Sequence, residues 1–163
     1  MNLIARPFLA LFGRLFSGHV VVRGDSMSPT LRAGSRLAID RLAYLMAAPK
    51  RGDVVVVRGG GRAKSRHLKR VVGLPGEEVA VGGGRLWING AEFSEPYLAD
   101  RPRTTGLEEG RWTVSEAEVF VLGDSRMAST DSRSYGPVAT RRIEGMAWLC
   151  YWPVRALGRL PKR

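Results

Sequence analysis

Residues 67–79 read HLKRVVGLPGEEV, in which two short apolar runs are separated by Gly-Leu-Pro-Gly. Short valine-rich runs bounded by glycine or proline are typical of β-strands. The same pattern recurs after residue 18. It predicts strands over 35–41, 53–58, 68–72, 77–81 and 118–122. In RLWINGAEF, Asn89-Gly90 lies between apolar runs, which is a strong signal for a β-hairpin. The sequence therefore predicts a mainly β fold.

Two connections interrupt this pattern. Residues 42–48 could form a short helical turn before Pro49, and the polar stretch 97–110, which contains Pro and Gly, predicts a long surface loop. The glycine runs 59–61 and 82–84 are predicted to be turns. Neither has the strand-to-helix setting and Lys-Ser/Thr ending that a phosphate-binding loop needs.

The composition indicates one ordered globular domain. Of the 163 residues, 44% are hydrophobic and 25% are charged. The 26 Lys and Arg residues exceed the 15 Asp and Glu residues, and the formal net charge of +11 favours anionic partners. Because the basic residues are scattered along the chain, we expect a membrane surface as partner and no nucleic acid. One cysteine and two histidines offer neither a disulfide framework nor a zinc site, so we expect no metal and no cofactor.

The N-terminal segment is apolar but contains arginines. The favourable insertion free energy of the apolar residues between Leu3 and Val22 is offset by the cost of Arg14 near the centre, so the segment is at most a marginal transmembrane span. On a helix the large apolar residues share one side and the arginines the other, as in a helix lying in the membrane interface. A helix packed on its own domain would have the same pattern. We therefore divide the chain into an amphipathic or marginally membrane-associating segment, 1–18, and a β domain, 19–163.

The pentad GDSMS, residues 24–28, places Ser26 just after an apolar run. A serine hydroxyl becomes a nucleophile only with a base in hydrogen-bond reach. His67 is one candidate, but nothing sets the order or spacing of a Ser-His-Asp triad. A buried lysine can also serve, because desolvation lowers its pKa, and of the four lysines only Lys69 lies inside an apolar β segment. A Lys69 ammonium that extends to solvent is the alternative interpretation.

Residues 119–138 read VFVLGDSRMASTDSRSYGPV, an apolar run followed by many charged and hydroxyl side chains. This density predicts a hydrogen-bonded network in which Asp131 and Arg133 could pair and Ser129 could orient a buried amine. A solvated loop would have the same composition.

Taken together, four segments resemble type I signal peptidases, the Ser/Lys proteases that remove signal peptides at the membrane surface. They are GDSMSPTL, RGDVVVV, KRVVGLPGE and VLGDSRMASTDSRSYGPV, in the order of that family and within residues 20–153. The resemblance implies antiparallel β-sheets with the active site near an apolar, membrane-facing edge. It also implies Ser26 as the nucleophile and Lys69 as the general base of an endopeptidase that works through an acyl-enzyme.

Further roles follow from the same resemblance. Ser129 matches a serine that hydrogen-bonds the lysine, and Asp131 and Arg133 match a supporting ion pair. Met27 would help to wall the site and to bind the small residues that precede the cut. The implied partners are secretory precursors with small residues at positions −3 and −1, and the implied location is a membrane, with the active site on its extracytoplasmic face.

The sequence departs from the family pattern at two positions. Gly24 stands where some members have a serine whose hydroxyl helps to bind the oxyanion, so backbone N–H groups, chiefly that of Ser26, must serve here. Ser125 stands where the last motif usually has asparagine, which concerns the local turn rather than the chemistry.

Other functions share parts of this pattern. A related cytoplasmic protease that trims a nickel superoxide dismutase precursor has the same Ser/Lys motifs and can lack a membrane anchor. Self-cleaving repressors also use a Ser/Lys dyad, but 18 residues before the β region leave no room for a helix-turn-helix. A non-catalytic basic module that binds lipid or nucleic acid is the interpretation without enzymatic activity.

Overall fold

The computed structural model describes residues 18–45, 47–59, 65–98 and 109–161. Within these ranges lie twelve strands, one short α-helix, α1 (Ser132–Tyr135), and 3-10 turns at Pro96–Leu98, Thr140–Arg142 and Val154–Ala156. In chain order the strands are β1 (His19–Val21), β2 (Arg36–Asp40), β3 (Val54–Arg58), β4 (Arg66–Gly73), β5 (Glu78–Gly82), β6 (Arg85–Ile88), β7 (Ala91–Glu92), β8 (Gly110–Thr113), β9 (Glu118–Leu122), β10 (Val138–Ala139), β11 (Ile143–Trp152) and β12 (Gly158–Arg159).

These strands form two antiparallel sheets. The larger sheet has the order β1-β2-β11-β3-β4-β9-β10, with β12 paired to β11, and the smaller has the order β7-β6-β5-β8. Every pairing between these strands is antiparallel. Strand β4 lies between β3 and β9, so Lys69 occupies the interior of the larger sheet rather than an edge. The predicted mainly β, antiparallel fold is confirmed.

Strand β3 is buried on both of its faces. Val54 and Val56 pack into one core cluster, whereas Val55 and Val57 pack into another on the opposite side. Successive side chains of a strand point to opposite faces, so a strand covered on both sides has no need of polar residues in alternate positions. This explains the uninterrupted run of four valines. A third cluster lies between the smaller sheet and strands β4 and β9.

The valine-rich segments are strands, as predicted. Strands β2, β3, β4, β5 and β9 lie within two residues of the predicted boundaries. The predicted hairpin is also present, between β6 and β7, with φ of 50° at Asn89 and 80° at Gly90. Two successive residues in the left-handed region are what a two-residue hairpin loop of this type requires.

Five strands were not predicted: β1, β8, β10, β11 and β12. Strand β8 begins at Gly110, the last residue of the predicted loop, and β11 is the longest strand of the larger sheet. The pairing of β11 with β2 and β3 shifts register between Ile143 and Gly145 and again between Ala147 and Leu149. Such bulges break the alternation of apolar and polar residues by which a strand is recognised. Residues 41–45 form a hydrogen-bonded turn, in which the amide of Leu45 donates to the carbonyl of Leu42 over 3.1 Å, and no helix is assigned there.

The predicted N-terminal segment, 1–18, lies outside the described residues except for Gly18. The described chain then enters β1 at His19. None of the helices within the described ranges is long and apolar enough to cross a membrane. The predicted 97–110 loop also lies outside the described residues, apart from its two ends.

Candidate active site

The turn that carries Ser26 connects β1 to β2. It is closed at its base by two backbone hydrogen bonds, from the amide of Val22 to the carbonyl of Ser35 (2.8 Å) and from the amide of Gly34 to the carbonyl of Val22 (3.0 Å). Within the turn, the side chain of Met27 is 1% exposed and packs into the core. Ser26 itself is partly exposed. The core therefore anchors the residue next to Ser26 while Ser26 remains accessible.

Lys69 is a buried residue of β4. It is 3% exposed, and it pairs across the sheet with Val55, which is fully buried. Burial lowers the pKa of Lys69 because desolvation disfavours the ammonium form; Arg133 lowers it further, whereas Asp131 and Asp124 oppose the shift. The two carboxylates are themselves paired with arginines. The environment therefore makes the neutral amine, which can accept a proton, easier to form than in a lysine exposed to solvent.

Gly123 is the point at which the predicted catalytic segments meet. Arg70 pairs with Leu122 in the sheet, so Lys69 lies alongside Gly123. A Cβ on Gly123 would lie 2.5 Å from the carbonyl oxygen of Ser26 and 2.5 Å from the Cβ of Ser129. These distances are below any real Cβ contact, so only glycine fits. The end of β9 thus brings the Ser26 turn, Lys69 and Ser129 to one place.

A second contact joins the Ser26 turn to this loop. The amide of Ser125 donates to the carbonyl of Ser26 over 3.0 Å. The amide of Ser26 donates to no described residue, so it is free to bind a negatively charged oxygen. Ser125, which replaces the usual asparagine, therefore holds the turn through its backbone.

Asp131 and Arg133 form a buried ion pair. Nε of Arg133 donates to Oδ1 of Asp131 over 2.8 Å, and Nη2 donates to Oδ2 over 2.9 Å. Asp131 also accepts the amide of Gly123 over 3.0 Å, and Nη2 of Arg133 donates to the carbonyl of Ser129 over 3.2 Å. Burial alone would raise the pKa of Asp131, but these hydrogen bonds hold it below its usual value. The pair thus fixes both the end of β9 and the backbone of Ser129.

The Ser129 hydroxyl is buried and unbonded. It lies close enough to Asp131 to help hold the pKa of that carboxyl low, but among the residues that the structure describes it meets no partner with hydrogen-bond geometry. A buried hydroxyl without a partner is unusual in a folded protein. The hydrogen bond from Ser129 to Lys69 that the family resemblance implies is therefore not formed here, and this role stays a prediction.

Gly24 and Met27 are the remaining predicted site residues. Gly24 is exposed, has φ of 77°, and a Cβ there would meet nothing within 4 Å. A serine would have room, but it would have to adopt a left-handed backbone that side chains disfavour. Met27 is packed into the core, so its proposed contact with substrate also stays a prediction.

Arg70 is a buried residue next to Lys69 for which the sequence predicted no role. Its guanidinium is fully buried and forms two bonds to Asp124, of 2.8 Å and 2.7 Å. It also donates to the carbonyls of Gly52 (3.0 Å) and Pro161 (2.6 Å), and its Cζ lies 4.0 Å from the centre of the Tyr97 ring. The signal in the sequence was an arginine directly before the apolar residues Val71 and Val72. An arginine buried in such a strand needs several hydrogen-bond acceptors, so it predicts a buried polar network.

Comparison with known proteins identifies the family of the chain. The signal peptidase family, peptidase S26, matches residues 2–152. The chain is 35% identical to a probable signal peptidase I-2 from Synechocystis, over 98% of this chain and 74% of that protein. It is 39% identical to a signal peptidase I from Bacillus caldolyticus, over 86% of this chain and 82% of that protein.

A solved structure is similar as well. The crystal structure of a signal peptidase I from Enterococcus faecalis superposes with a TM-score of 0.54 at 34% sequence identity, covering 61% of this chain and 97% of that chain. These matches confirm the resemblance drawn from the four sequence segments. The chain therefore belongs to the signal peptidase family, peptidase S26, whose members are serine endopeptidases.

Proposed function

We propose that this protein removes signal peptides from secretory precursors, with Ser26 as the nucleophile and Lys69 as the general base. The observation that carries the proposal is the burial of Lys69 within the larger sheet, which lowers its pKa next to the turn that bears Ser26. The relatives named signal peptidase I support the class of substrate.

The proposed reaction proceeds through an acyl-enzyme. Neutral Nζ of Lys69 takes the proton of the Ser26 hydroxyl as Oγ attacks the scissile carbonyl carbon. The resulting oxyanion accepts the free amide N–H of Ser26. The Lys69 ammonium then protonates the departing amine as the peptide bond breaks. Water attacks the ester, giving its proton to Lys69, and collapse of the second intermediate returns that proton to Ser26.

The surrounding residues support this reaction by position. The ion pair of Asp131 with Arg133 holds the backbone of Ser129 and the amide of Gly123. Ser129 is proposed to accept a hydrogen bond from Nζ of Lys69 through its unbonded hydroxyl oxygen once substrate is bound, which leaves the amine lone pair for the Ser26 proton. Met27 anchors the turn beneath Ser26, and we assign the preference for small residues before the cut to the surface around it. Because Gly24 has no hydroxyl, backbone N–H groups are proposed to bind the oxyanion.

Membrane association is the second part of the proposal. Val21 and Trp152 are exposed and both pair with Arg36, so they lie at the same end of the larger sheet. Val154 and Leu157, also exposed, follow Trp152 in the chain. Tryptophan is favoured at the membrane–water interface. We propose that this end contacts the lipid surface, with the active site on the extracytoplasmic face.

Fractionation of cells tests the location. Release from membranes by high salt would indicate attachment by charge, release by carbonate would indicate an interfacial segment, and retention would indicate a span. Recovery in the soluble fraction without either wash would contradict the proposal.

Replacement of the two proposed catalytic groups tests the chemistry. Ser26→Ala and Lys69→Ala are expected to lower precursor cleavage on the order of 10³-fold or more. His67→Ala is the control, because His67 lies on the same strand but is exposed. Full activity of either Ser26→Ala or Lys69→Ala would contradict the dyad.

A panel of precursors tests the substrate class. Cleavage of several secretory precursors is expected. Cleavage of a single partner's leader, such as that of a nickel superoxide dismutase precursor, would instead favour the dedicated maturation protease.

A further inference from the structure

A connecting segment, residues 93–98, leaves the smaller sheet after β7 and contacts the polar loop that follows β9. Its Glu95 forms an ion pair with Arg126: Nη1 donates to Oε2 over 2.6 Å and Nη2 to Oε1 over 2.5 Å. Both side chains are largely removed from solvent, with 10% of Glu95 and 14% of Arg126 exposed. A buried, bidentate pair of this kind fixes the relative position of the two segments that carry it.

Arg126 connects the ion pair to Gly123 of the candidate active site. Its Nε donates to the carbonyl of Gly123 over 3.0 Å. Its own carbonyl accepts Nη2 of Arg133 over 2.8 Å. Gly123 is the residue against which Ser26 and Ser129 pack. A shift of Arg126 would therefore reach Ser26 and Ser129 through one hydrogen bond.

Tyr97 connects the same segment to the strand of the proposed base. Its hydroxyl donates to Oε1 of Glu95 over 2.5 Å, and its ring lies 4.0 Å from Cζ of Arg70. Arg70 directly follows Lys69 and pairs with Asp124. The segment thus contacts both the strand that bears Lys69 and the loop that bears Ser129.

From these contacts we infer that Glu95 and Tyr97 are positioning residues: they set the loop 123–129 against β4 and thereby hold Ser26, Ser129 and Lys69 in reacting distance. The inference rests on the proposed function for its catalytic consequence. Neither residue touches the reacting atoms. Because a misplacement of about 1 Å can lower a rate by about 100-fold, loss of the pair is expected to lower kcat rather than to raise KM.

The first experiment follows the proton of Lys69 directly and needs no activity. Only four lysines are present, so the signal of Lys69 in protein labelled with ¹³C-lysine is identified by its loss in Lys69→Ala. Glu95→Gln and Tyr97→Phe are expected to change the titration midpoint of Lys69, because loop 123–129 carries Asp124 and hydrogen-bonds Asp131 and Arg133, the charges that act on Lys69. Glu92→Gln is the matched control, since Glu92 lies three residues away in an exposed pair with Arg85.

The second experiment separates positioning from stability. With precursor as substrate, and at a temperature at which all variants are folded by circular dichroism, Glu95→Gln is expected to lower kcat by about 10- to 100-fold with little change in KM. The double variant Glu95→Gln/Arg126→Gln is expected to lower kcat by less than the product of the two single effects, because both changes break the same ion pair, although Arg126→Gln also removes the bond to the carbonyl of Gly123. If Glu95→Gln does not fold, Tyr97→Phe, which removes one hydroxyl, carries the test.

The outcomes are distinguishable. An unchanged Lys69 titration and an unchanged kcat in folded Glu95→Gln or Tyr97→Phe would overturn the inference, even if these variants unfold more easily. Cleavage that survives Ser26→Ala or Lys69→Ala would overturn the proposed function instead, and the Lys69 titration would still decide whether the segment positions β4.

Discussion

The α-carbon of Gly123 faces the carbonyl oxygen of Ser26 so closely that a Cβ there would lie 2.5 Å from that oxygen. This contact, rather than any side chain of β9, sets how near the Ser26 turn approaches the strand of Lys69. The missing side chain of Gly123 also leaves room for Ser129, whose Cβ would lie 2.5 Å from a Cβ at Gly123.

Gly123→Ala is therefore expected to push the Ser26 turn away from β4. Overpacking against backbone should destabilise the protein by about 1–3 kcal/mol and should lower cleavage more than stability alone explains. Urea denaturation and precursor cleavage measure the two effects. Gly158→Ala is the control, because a Cβ there meets nothing within 4 Å. Equal behaviour of the two alanine variants would contradict the close approach.

Lys69 is expected to make stability rise with pH. Its folded-state pKa lies below 10.5, so between the two pKa values the unfolded chain holds the proton that the folded protein has lost. The contribution of Lys69 to the free energy of unfolding therefore grows as pH rises from the folded-state pKa towards 10.5. It is lost as pH falls through the folded-state pKa. The difference in free energy of unfolding between the parent and Lys69→Met, measured across pH, isolates it. A difference that is independent of pH would contradict the lowered pKa.

The same pKa predicts the pH dependence of the reaction. The parent's kcat/KM should rise with pH as Lys69 loses its proton, with a midpoint below 10.5. Lys50→Met, at an exposed lysine, should leave this midpoint in place. A profile with its midpoint at the ordinary lysine pKa would show that burial does not activate Lys69.

Asp131→Asn is expected to leave Arg133 as a buried charge without its partner. Breaking a buried pair in this way costs roughly 3–5 kcal/mol, whereas Glu92→Gln, which breaks an exposed pair with Arg85, should cost about 1 kcal/mol or less. Because the pKa of Asp131 is lowered from 3.8, its contribution is complete above that value and is lost as pH falls through the folded pKa. Urea denaturation of parent and variant at neutral and acidic pH measures both effects. Similar losses for the two variants would contradict the assignment.

Ser129→Ala should separate stability from catalysis. The hydroxyl has no hydrogen-bond partner within the described part of the chain, so its removal is expected to change the free energy of unfolding by less than about 1 kcal/mol. If the hydroxyl binds Lys69 during the reaction, kcat should nevertheless fall. Thermal denaturation and single-turnover cleavage measure these separately. An unchanged kcat would remove Ser129 from the proposed site.

The strands could be predicted wherever packing repeats a simple pattern. The valines of β3 are apolar at every position because both faces are covered, and Asn89-Gly90 adopts the left-handed turn that its residues favour. Strand β11 was missed because its bulges and Gly145, which lies against the carbonyl of Asp40, interrupt any regular alternation.

The candidate site was likewise predicted in part. Motifs close in sequence, such as Asp131 and Arg133, were visible as a possible pair. The partners of Arg70 were not, since Asp124 lies 54 residues away and is brought near only by the pairing of β4 with β9. The burial of Lys69 also depends on that pairing, and its own segment taken alone favoured an ammonium that extends to solvent.

The buried guanidinium of Arg70 has a consequence for the order in which the chain assembles. One of its acceptors, the carbonyl of Pro161, lies 91 residues further along, so it is made long after β4. Until that carbonyl arrives, a charged group in the strand of Lys69 lacks part of its hydrogen bonding, which is costly in an apolar interior. The hydrogen bonding of the strand that bears the proposed base is therefore completed only after residue 161 has been made, well after β4 itself.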